Sequence, residues 1–455
     1  MRRRGIQSAL PKTRRNTELV LLVVAVAIVL VAYANVGLAV NNSLPVDFYT
    51  LGGGFAVVTF VFHLALRWKA SYADPVLLPI VTLLNGLGLV MIHRIDLAPG
   101  SPHAAPKQLM WTAVAATAAV ALIFFVPDHR RLRRYTFTFG LIGFFLLLTP
   151  LLPGIGRNIN GSRVWIVVGG FSFQPSEIAK ILITIFFASY LVQTRDALSL
   201  VGRRVLGLPL PRARDMGPIL IAWIASLGVL VFESDLGTSL LFFGLFVGML
   251  YVATERRSWI IIGLTLFLAG AYVAYLLFAH FQERVSLWLD PFQPGMSDQI
   301  AKGLMGMAAG GMFGTGLGQG HPELTYFANS DFIIPSFGEE LGLVGLCAIL
   351  VLYGLIVERG LRTGVASRDG FGKMLATGLA FSMALQVFVV VGGVTRVIPL
   401  TGLTTPFLSA GGSSLLANWV IIALLLRISD HARRPTSDDR PENLSTDDTQ
   451  VVKTK

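Results

Sequence analysis

Long apolar segments recur from one end of this chain to the other, and they constrain its fold more than any other feature of the sequence. Each is about as long as the roughly 20 residues with which an α-helix crosses the hydrocarbon core of a membrane. In a chain of 455 residues that is 54% hydrophobic and 14% charged, no soluble domain fits between these segments. The sequence therefore predicts an all-α polytopic membrane protein.

We expect twelve transmembrane helices, at 18–40, 48–66, 74–93, 108–126, 134–152, 175–194, 215–232, 236–254, 259–280, 335–357, 373–393 and 407–428. The first follows the basic segment 1–17 but is long and lacks a small-residue cleavage pattern before Val40, so we interpret it as a retained helix. The polar, proline-containing segment 429–455 is expected to be a disordered cytoplasmic tail.

The net charge of +11 is explained by topology. With both termini in the cytoplasm, the cytoplasmic segments carry 29 Lys and Arg residues, against 7 outside and Lys180 within a span. Such an asymmetry orients membrane proteins and attracts anionic lipids. We therefore predict a multi-pass protein of the cytoplasmic membrane that contacts membrane lipids and has no nucleic-acid partner.

Metal and disulfide chemistry have little support in the sequence. Cys347 is the single cysteine and falls within a predicted span, and the seven histidines show no ligand spacing. Any chemistry is expected in the external loops 153–174 and 281–334, which are too long for simple helix connections.

The segment Phe-Gln-Pro-Ser-Glu-Ile-Ala-Lys, residues 173–180, predicts the start of a helix with Pro175 in its first turn. Glu177 and Lys180 are three residues apart and can form an ion pair. Charged groups in the membrane are costly, which makes them functional candidates. A structural ion pair and substrate contact are both compatible with this pattern.

Carboxylates cluster at two further places on the external side. Asp235, in Glu-Ser-Asp-Leu-Gly-Thr, is expected mainly to cap the helix that follows. In 329–342, Asp331, Glu339 and Glu340 meet the outer end of a span, where burial and like charges raise a carboxyl pKa toward the range of a general base. Glu339 and Glu340 could instead accept hydrogen bonds from loop amides, which leaves Asp331 as the best candidate base.

Two glycine-rich segments need an explanation. The segment 310–320 lacks the Gly-Lys-Ser/Thr ending of a phosphate loop, so a nucleotide site is not expected there. The segment 399–414, which contains Ser409 and Ser413 and follows Arg396, predicts irregular backbone at membrane depth. Such backbone is tolerated where it is buried in protein or lines a cavity.

Six motifs in one order make this sequence resemble the SEDS proteins (shape, elongation, division and sporulation), the RodA/FtsW family, over residues 74–428. They are Arg-x-Trp, Phe-x-Phe-Gln-Pro-Ser-Glu-x-x-Lys, Asp-Leu-Gly-Thr, Gly-x-Gly-Leu-Gly, Asp-Phe-Ile before Gly-Glu-Glu-Leu-Gly, and Ser-x-Gly-Gly-Ser-Ser. The resemblance is closer to RodA. It implies a ten-helix catalytic core to which this chain adds an N-terminal hairpin, 18–73.

The resemblance also implies a function. The family polymerises lipid II into glycan strands at the outer face of the membrane, for cell-wall elongation and cell shape, beside a class B penicillin-binding protein. The family's essential aspartate corresponds to Asp331. The residues expected to bind substrate are Arg163, Trp165, Gln174, Glu177, Lys180, Asp235, Glu339, Glu340, Arg396, Ser409 and Ser413.

The expected reaction transfers the growing glycan from its polyprenyl pyrophosphate to the 4-hydroxyl of the incoming disaccharide, with inversion and general base catalysis by Asp331. Arg163, Lys180 and Arg396 are candidates to stabilise the leaving pyrophosphate. No cofactor is evident: Mg²⁺ or Mn²⁺ could assist, yet no Asp-x-Asp motif is present to hold the ion. Three alternatives stay open, namely a lipid II flippase, a division-specific FtsW-type polymerase and a non-catalytic scaffold.

Overall fold

The structure is a computed structural model that describes residues 13–435 with internal gaps. The gaps are 102, 154, 160–161, 169–170, 200–203, 206–207, 210–220, 222–223, 226–227, 229–234 and 294–297. Within the described residues, eleven helical segments are long and apolar enough to cross a membrane. The predicted all-α membrane fold is therefore confirmed.

The described α-helices, in chain order, are α1 (Arg15–Asn41), α2 (Phe48–Lys69), α3 (Leu77–Asp96), α4 (Ala105–Phe125), α5 (Thr136–Leu148), α6 (Pro175–Ser199), α7 (Leu236–Thr254), α8 (Arg257–Leu277), α9 (Ala279–Leu289), α10 (Gln299–Gly310), α11 (Ile333–Ala366), α12 (Gly370–Val394) and α13 (Gly412–Arg433). Short 3₁₀ helices lie at His129–Tyr135, Thr149–Leu151 and Pro322–Leu324. Of the predicted spans, 215–232 falls almost wholly outside the described residues.

Five short strands were not expected from the sequence. β1 (Gly156–Ile159), β2 (Ser162–Val168) and β3 (Phe171–Phe173) form an antiparallel sheet in chain order, within the predicted external loop 153–174. β4 (Arg204–Val205) and β5 (Leu208–Pro209) form a second, two-stranded ladder. The first sheet leads directly into α6, so it fixes how the chain enters that helix.

The last helix, α13, lies at the centre of the bundle and is buried on nearly every face from Ser413 to Asp430. It packs against α4, α6, α11 and α12. It also runs to Arg433, five residues beyond the boundary expected from the sequence. Asp430 explains the extension, since its buried carboxylate accepts the Tyr72 N–H at 2.9 Å and pairs with Arg434 at 2.7 Å. Residues 436–455, the rest of the predicted tail, lie outside the described residues.

The N-terminal hairpin, α1 and α2, packs against α3 and α4. An apolar cluster joins the four helices and includes Tyr33 and Val36 from α1, Phe55 from α2 and Val90 from α3. Phe62 of α2 reaches Trp419 of the central helix, with ring centroids 5.2 Å apart. The hairpin is therefore docked onto the bundle by side-chain packing along its length.

The charge asymmetry generates a prediction about orientation. In a Cys347→Ala background, a membrane-impermeant thiol reagent added to intact cells should label Phe313→Cys, whose side chain is 82% exposed on the predicted external side. The same reagent should not label Arg131→Cys, an exposed position on the opposite side, until the membrane is permeabilised. The reverse labelling pattern would overturn the predicted orientation and the external placement of Asp331.

Candidate active site

Asp331 lies two residues before α11, at the end of the long loop that contains α9 and α10. Its neighbours Phe332 and Ile333 are fully buried and anchor the start of the helix. Ser336 ties that first turn back to the loop by donating to the Ala328 carbonyl at 3.2 Å. Asp331 itself keeps partial solvent exposure, so a rigid segment presents its carboxylate at the surface of the bundle.

The segment between α12 and α13 forms the second wall of the site. Ser409 Oγ donates to the Ser330 carbonyl at 2.7 Å and accepts from the Thr405 N–H at 2.8 Å. The Ala410 N–H donates to the Asn329 carbonyl at 2.8 Å. Ser409 thus fastens this segment to the residues immediately before Asp331, and Ser413 is buried in the first turn of α13.

Arg284, on α9, is a site residue that the sequence analysis missed. Its Nη1 donates to the carbonyls of Leu400 and Thr401, at 3.1 and 3.3 Å, and its Nε donates to His280 Nε2 at 3.1 Å. The remaining nitrogen, Nη2, faces Gly402, as does Asp331 Oδ2. An ideal Cβ at Gly402 would lie 4.0 Å from Arg284 Nη2 and 3.9 Å from Asp331 Oδ2.

Burial dominates the electrostatics of the site. It raises the pKa of Asp331 to about 7; the charge of Arg284 opposes that rise and the carboxylate of Asp235 adds to it. Burial lowers the pKa of Arg284, and Asp235 and Asp331 oppose this. Within the described part of the chain, no residue donates a hydrogen bond to the Asp331 carboxylate. A base with a pKa near neutrality and free lone pairs can accept a proton from a substrate hydroxyl.

Asp235 caps α7, as predicted. Its Oδ1 accepts the Thr238 N–H at 3.0 Å and its Oδ2 accepts the Thr238 hydroxyl at 2.6 Å. Burial raises the pKa of Asp235 as well, although these two hydrogen bonds oppose the rise. Both carboxylate oxygens therefore have partners, in contrast to those of Asp331.

Glu177 and Lys180 form the predicted ion pair, at 2.8 Å, and both side chains are buried. Lys180 Nζ also donates to Gln386 Oε1 at 2.6 Å, and Gln386 Nε2 donates to the Thr404 carbonyl at 3.0 Å. A buried polar chain thus links the start of α6, through α12, to the segment that borders Asp331. Through Gln386, the Glu177–Lys180 pair therefore supports the segment that borders Asp331.

Glu339 and Glu340, in the first turns of α11, hold the glycine-rich segment 310–320. Glu340 Oε2 accepts the Gly318 N–H at 2.9 Å, while Glu339 Oε1 accepts the His321 N–H at 2.6 Å. Arg94 Nε donates to the other Glu340 oxygen at 2.9 Å. Both carboxylates therefore satisfy loop amides, which is the structural role that the sequence left open for them.

Arg396 binds backbone at the end of α9. Its Nε and Nη2 donate to the Trp288 carbonyl at 3.0 and 2.9 Å, and Nη2 also donates to the Leu289 carbonyl at 2.8 Å. The Trp288 indole returns a hydrogen bond to the Arg396 carbonyl at 3.0 Å. Arg396 therefore fixes the helix that carries Arg284.

The motif that precedes α6 lies on the small sheet. Trp165 is half-buried on β2, opposite Arg157 of β1, and Gln174 is buried just before α6. Arg163 also belongs to β2, but its side chain lies outside the described part of the structure. Where side chains are described, no group of three or more His, Cys, Asp or Glu residues is placed to hold a metal ion.

Comparison with known proteins identifies relatives over most of the chain. The model of the FtsW/RodA/SpoVE family, described as cell cycle proteins, matches residues 75–434, a range that begins directly after α2 and its connecting turn. Peptidoglycan glycosyltransferase RodA of Mycobacterium tuberculosis is 51% identical over 441 residues, which cover 95% of this chain and 94% of the relative. Stage V sporulation protein E of Bacillus subtilis is 32% identical over 378 residues, which cover 80% of this chain and 99% of that relative.

Solved structures show the same architecture. A chain from a peptidoglycan synthase complex, described for the coordination of polymerization and crosslinking, superimposes with a TM-score of 0.63 at 26% identity, covering 79% of this chain and 98% of that one. The rod shape determining protein RodA of Thermus thermophilus superimposes with a TM-score of 0.57 at 24% identity, covering 80% of this chain and 98% of that one.

The buried pair on α6 generates a stability prediction. Glu177→Gln or Lys180→Met alone strands a buried charge and should cost about 3–5 kcal/mol, whereas the double variant should recover most of that loss. Thermal unfolding of the purified protein in detergent measures both effects. Lys302→Met is the matched control, because it breaks the exposed Lys302–Asp298 pair and should cost less than about 1 kcal/mol.

A double variant that stays as unstable as either single variant would contradict this account. If the double variant is stable and active, the role of the pair is structural. If it is stable and inactive, the result supports contact of the pair with the pyrophosphate or the substrate.

Proposed function

The chain belongs to the FtsW/RodA/SpoVE family, and from that premise we infer that it is a multi-pass membrane peptidoglycan glycosyltransferase. The inference is supported by 51% identity, over nearly the whole chain, to relatives that carry that activity in their names. We further propose that it serves cell-wall elongation, because identity to the RodA relatives exceeds the 35% found with an FtsW of Alkalilimnicola ehrlichii.

The proposed reaction joins two lipid-linked saccharides on the outer face of the membrane. The 4-hydroxyl of the incoming lipid II disaccharide attacks the anomeric carbon of the growing glycan. As the new glycosidic bond forms, the bond to the polyprenyl pyrophosphate breaks, and inversion follows from the single displacement. The hydroxyl proton passes to a base, and the pyrophosphate leaves with the electron pair of the broken bond.

Asp331 is the base in this proposal, and the observation that carries it is the contrast among the neighbouring carboxylates. Glu339, Glu340 and Asp235 accept hydrogen bonds from backbone amides. Asp331 is exposed to the space beside Arg284, and its pKa of about 7 lets it accept and release a proton near neutral pH.

Positive charge is also needed where the pyrophosphate leaves. Two of the three candidate cations from the sequence already donate hydrogen bonds to groups within the protein. Lys180 donates to Glu177 and Gln386, and Arg396 donates to backbone carbonyls. We therefore favour Arg163 for the pyrophosphate, since the motif that contains it directly precedes β3 and α6.

A class B penicillin-binding protein is the proposed partner. The structural relative with a TM-score of 0.63 belongs to a complex that couples polymerization to crosslinking, and this chain covers 98% of that relative. A lipid II flippase receives less support. A flippase needs a polar path through the bundle for the lipid headgroup, and Glu177 and Lys180 are the charged candidates for it, but the two side chains bond to each other and are buried.

Asp331→Asn should fold and insert normally and should bind lipid II, yet polymerise it about a hundredfold or more slowly, the loss expected for a general base. The substitution is nearly isosteric, so the contacts of the surrounding loop survive. Glycan strands formed from lipid II by the purified full-length protein are the measurement. Glu339→Gln is the control and should be milder. Near wild-type polymerisation by Asp331→Asn would rule out Asp331 as the base.

The raised pKa of Asp331 also predicts pH dependence. Polymerisation should rise with pH through about 7, because only the ionised carboxylate accepts a proton. Stability should move the other way: between the ordinary value of 3.8 and about 7, the folded protein holds a proton that the unfolded chain has released, so stability falls as pH rises. Asp331→Asn should therefore unfold at a higher temperature than the wild type at pH 8, as thermal melts would show. An unchanged or lower melting temperature would contradict the shift.

A further inference from the structure

The irregular segment at 400–402 lies against Arg284. Two consecutive carbonyls, those of Leu400 and Thr401, accept hydrogen bonds from one guanidinium nitrogen. The next residue, Gly402, has a φ of +73°, which is left-handed backbone that side-chain-bearing residues rarely adopt. The left-handed residue therefore directly follows the two carbonyls that bind Arg284.

Gly402 borders an open space between the two charged side chains. Its ideal Cβ would be in ordinary van der Waals contact with Asp331 Oδ2 and Arg284 Nη2, and apart from the two chain neighbours of Gly402 no other described atom lies within 4 Å of it. In the described part of the chain, the Asp331 carboxylate and the Arg284 guanidinium form no direct ion pair. A hydroxyl group placed beside both side chains has the chemistry to accept a hydrogen bond from Nη2 and to donate one to Oδ2.

The charges around this space favour that arrangement. Arg284 is the positive charge acting on Asp331, while the second carboxylate, Asp235, opposes ionisation of Asp331. His280 and Glu283, on the same helix as Arg284, are the other titratable groups nearby. Without Arg284, no cation in the described part of the chain would offset the repulsion between the Asp331 and Asp235 carboxylates.

We propose that Arg284 is a positioning residue for Asp331: its guanidinium supplies the positive charge opposite the carboxylate, and Gly402 keeps the space between them open for the attacking sugar hydroxyl. The proposal rests on the proposed function of the chain as a glycosyltransferase. It assigns roles to two residues that lie outside the motifs on which the family resemblance was based.

The first experiment measures how the rate of lipid II polymerisation by purified full-length protein depends on pH. Arg284→Gln should shift the acidic side of the pH–rate profile to higher pH, on the order of half a pH unit or more. The variant should recover much of its activity at high pH. Arg284→Lys keeps the charge, so its profile should stay near that of the wild type. A rate that falls equally at every pH, with no shift of the profile, would mean a structural role and would overturn the proposal.

The second experiment tests the open space and does not depend on the folding of an Arg284 variant. Gly402→Ala and Gly402→Asn should lower kcat/KM for lipid II progressively, by about tenfold or more for asparagine, which tolerates left-handed backbone but fills the space. Gly100→Ala and Gly100→Asn are matched controls, since Gly100 has a φ of +80° and no neighbour within 4 Å of its ideal Cβ. Equal effects at the two positions would overturn the role of Gly402.

The Asp331 variant tests the base, and the Arg284 and Gly402 variants test the positioning of that base. If Asp331→Asn polymerises lipid II at the wild-type rate, the assignment of the base fails. If Asp331→Asn is inactive while the Arg284 and Gly402 variants behave like the wild type and the Gly100 controls, only the present proposal fails.

Discussion

Backbone that leaves regular helix near a membrane must find its hydrogen-bond partners inside the protein, and this constraint shapes the predicted external side of the protein. Helix α11 breaks at Gly342, which has a φ of +66°. The carbonyls of Glu339 and Glu340, before the break, accept from the amides of Thr315 and Gly316, and the amide of Leu343, after it, donates to the Gly311 carbonyl. The glycine-rich segment is therefore the hydrogen-bonding complement of a broken helix, which explains its glycines without a nucleotide.

The same constraint explains the use of arginine on this side of the protein. Only 7 of the 37 Lys and Arg residues are predicted to lie outside. Three of them donate to backbone carbonyls: Arg94 and Arg284 bind irregular segments, at 2.6 Å for Arg94 and the Gly320 carbonyl, and Arg396 binds the end of α9. A guanidinium can satisfy several acceptors at once and keep a donor for another group. Arg284 does both: one of its nitrogens holds the loop, and another faces the space beside Asp331.

The sequence predicted the helices better than the site. Apolar segments of membrane length located eleven spans, and Pro175 and Asp235 located the starts of α6 and α7. The break at Gly342 was missed, because the apolar pattern continues through it and the compensating hydrogen bonds come from 311–316. Arg284 was missed for a related reason: its neighbours, Leu400 and Asp331, are distant in sequence, and no local pattern distinguishes it from a solvated arginine on a loop helix.

Carboxylates with different roles look alike in such a sequence. Asp235, Asp331, Glu339 and Glu340 all lie at the predicted outer ends of spans, where local reasoning assigns a cap or a base to each. Hydrogen bonding separates them: Asp235, Glu339 and Glu340 accept backbone amides, whereas no described residue donates to the carboxylate of Asp331, whose pKa burial raises to about 7. A carboxylate that stabilised its own loop in this way would be a weaker base. The Asp331 carboxylate, which burial makes costly to ionise and to which no described residue donates, is therefore free to accept the proton of a substrate hydroxyl in the proposed reaction.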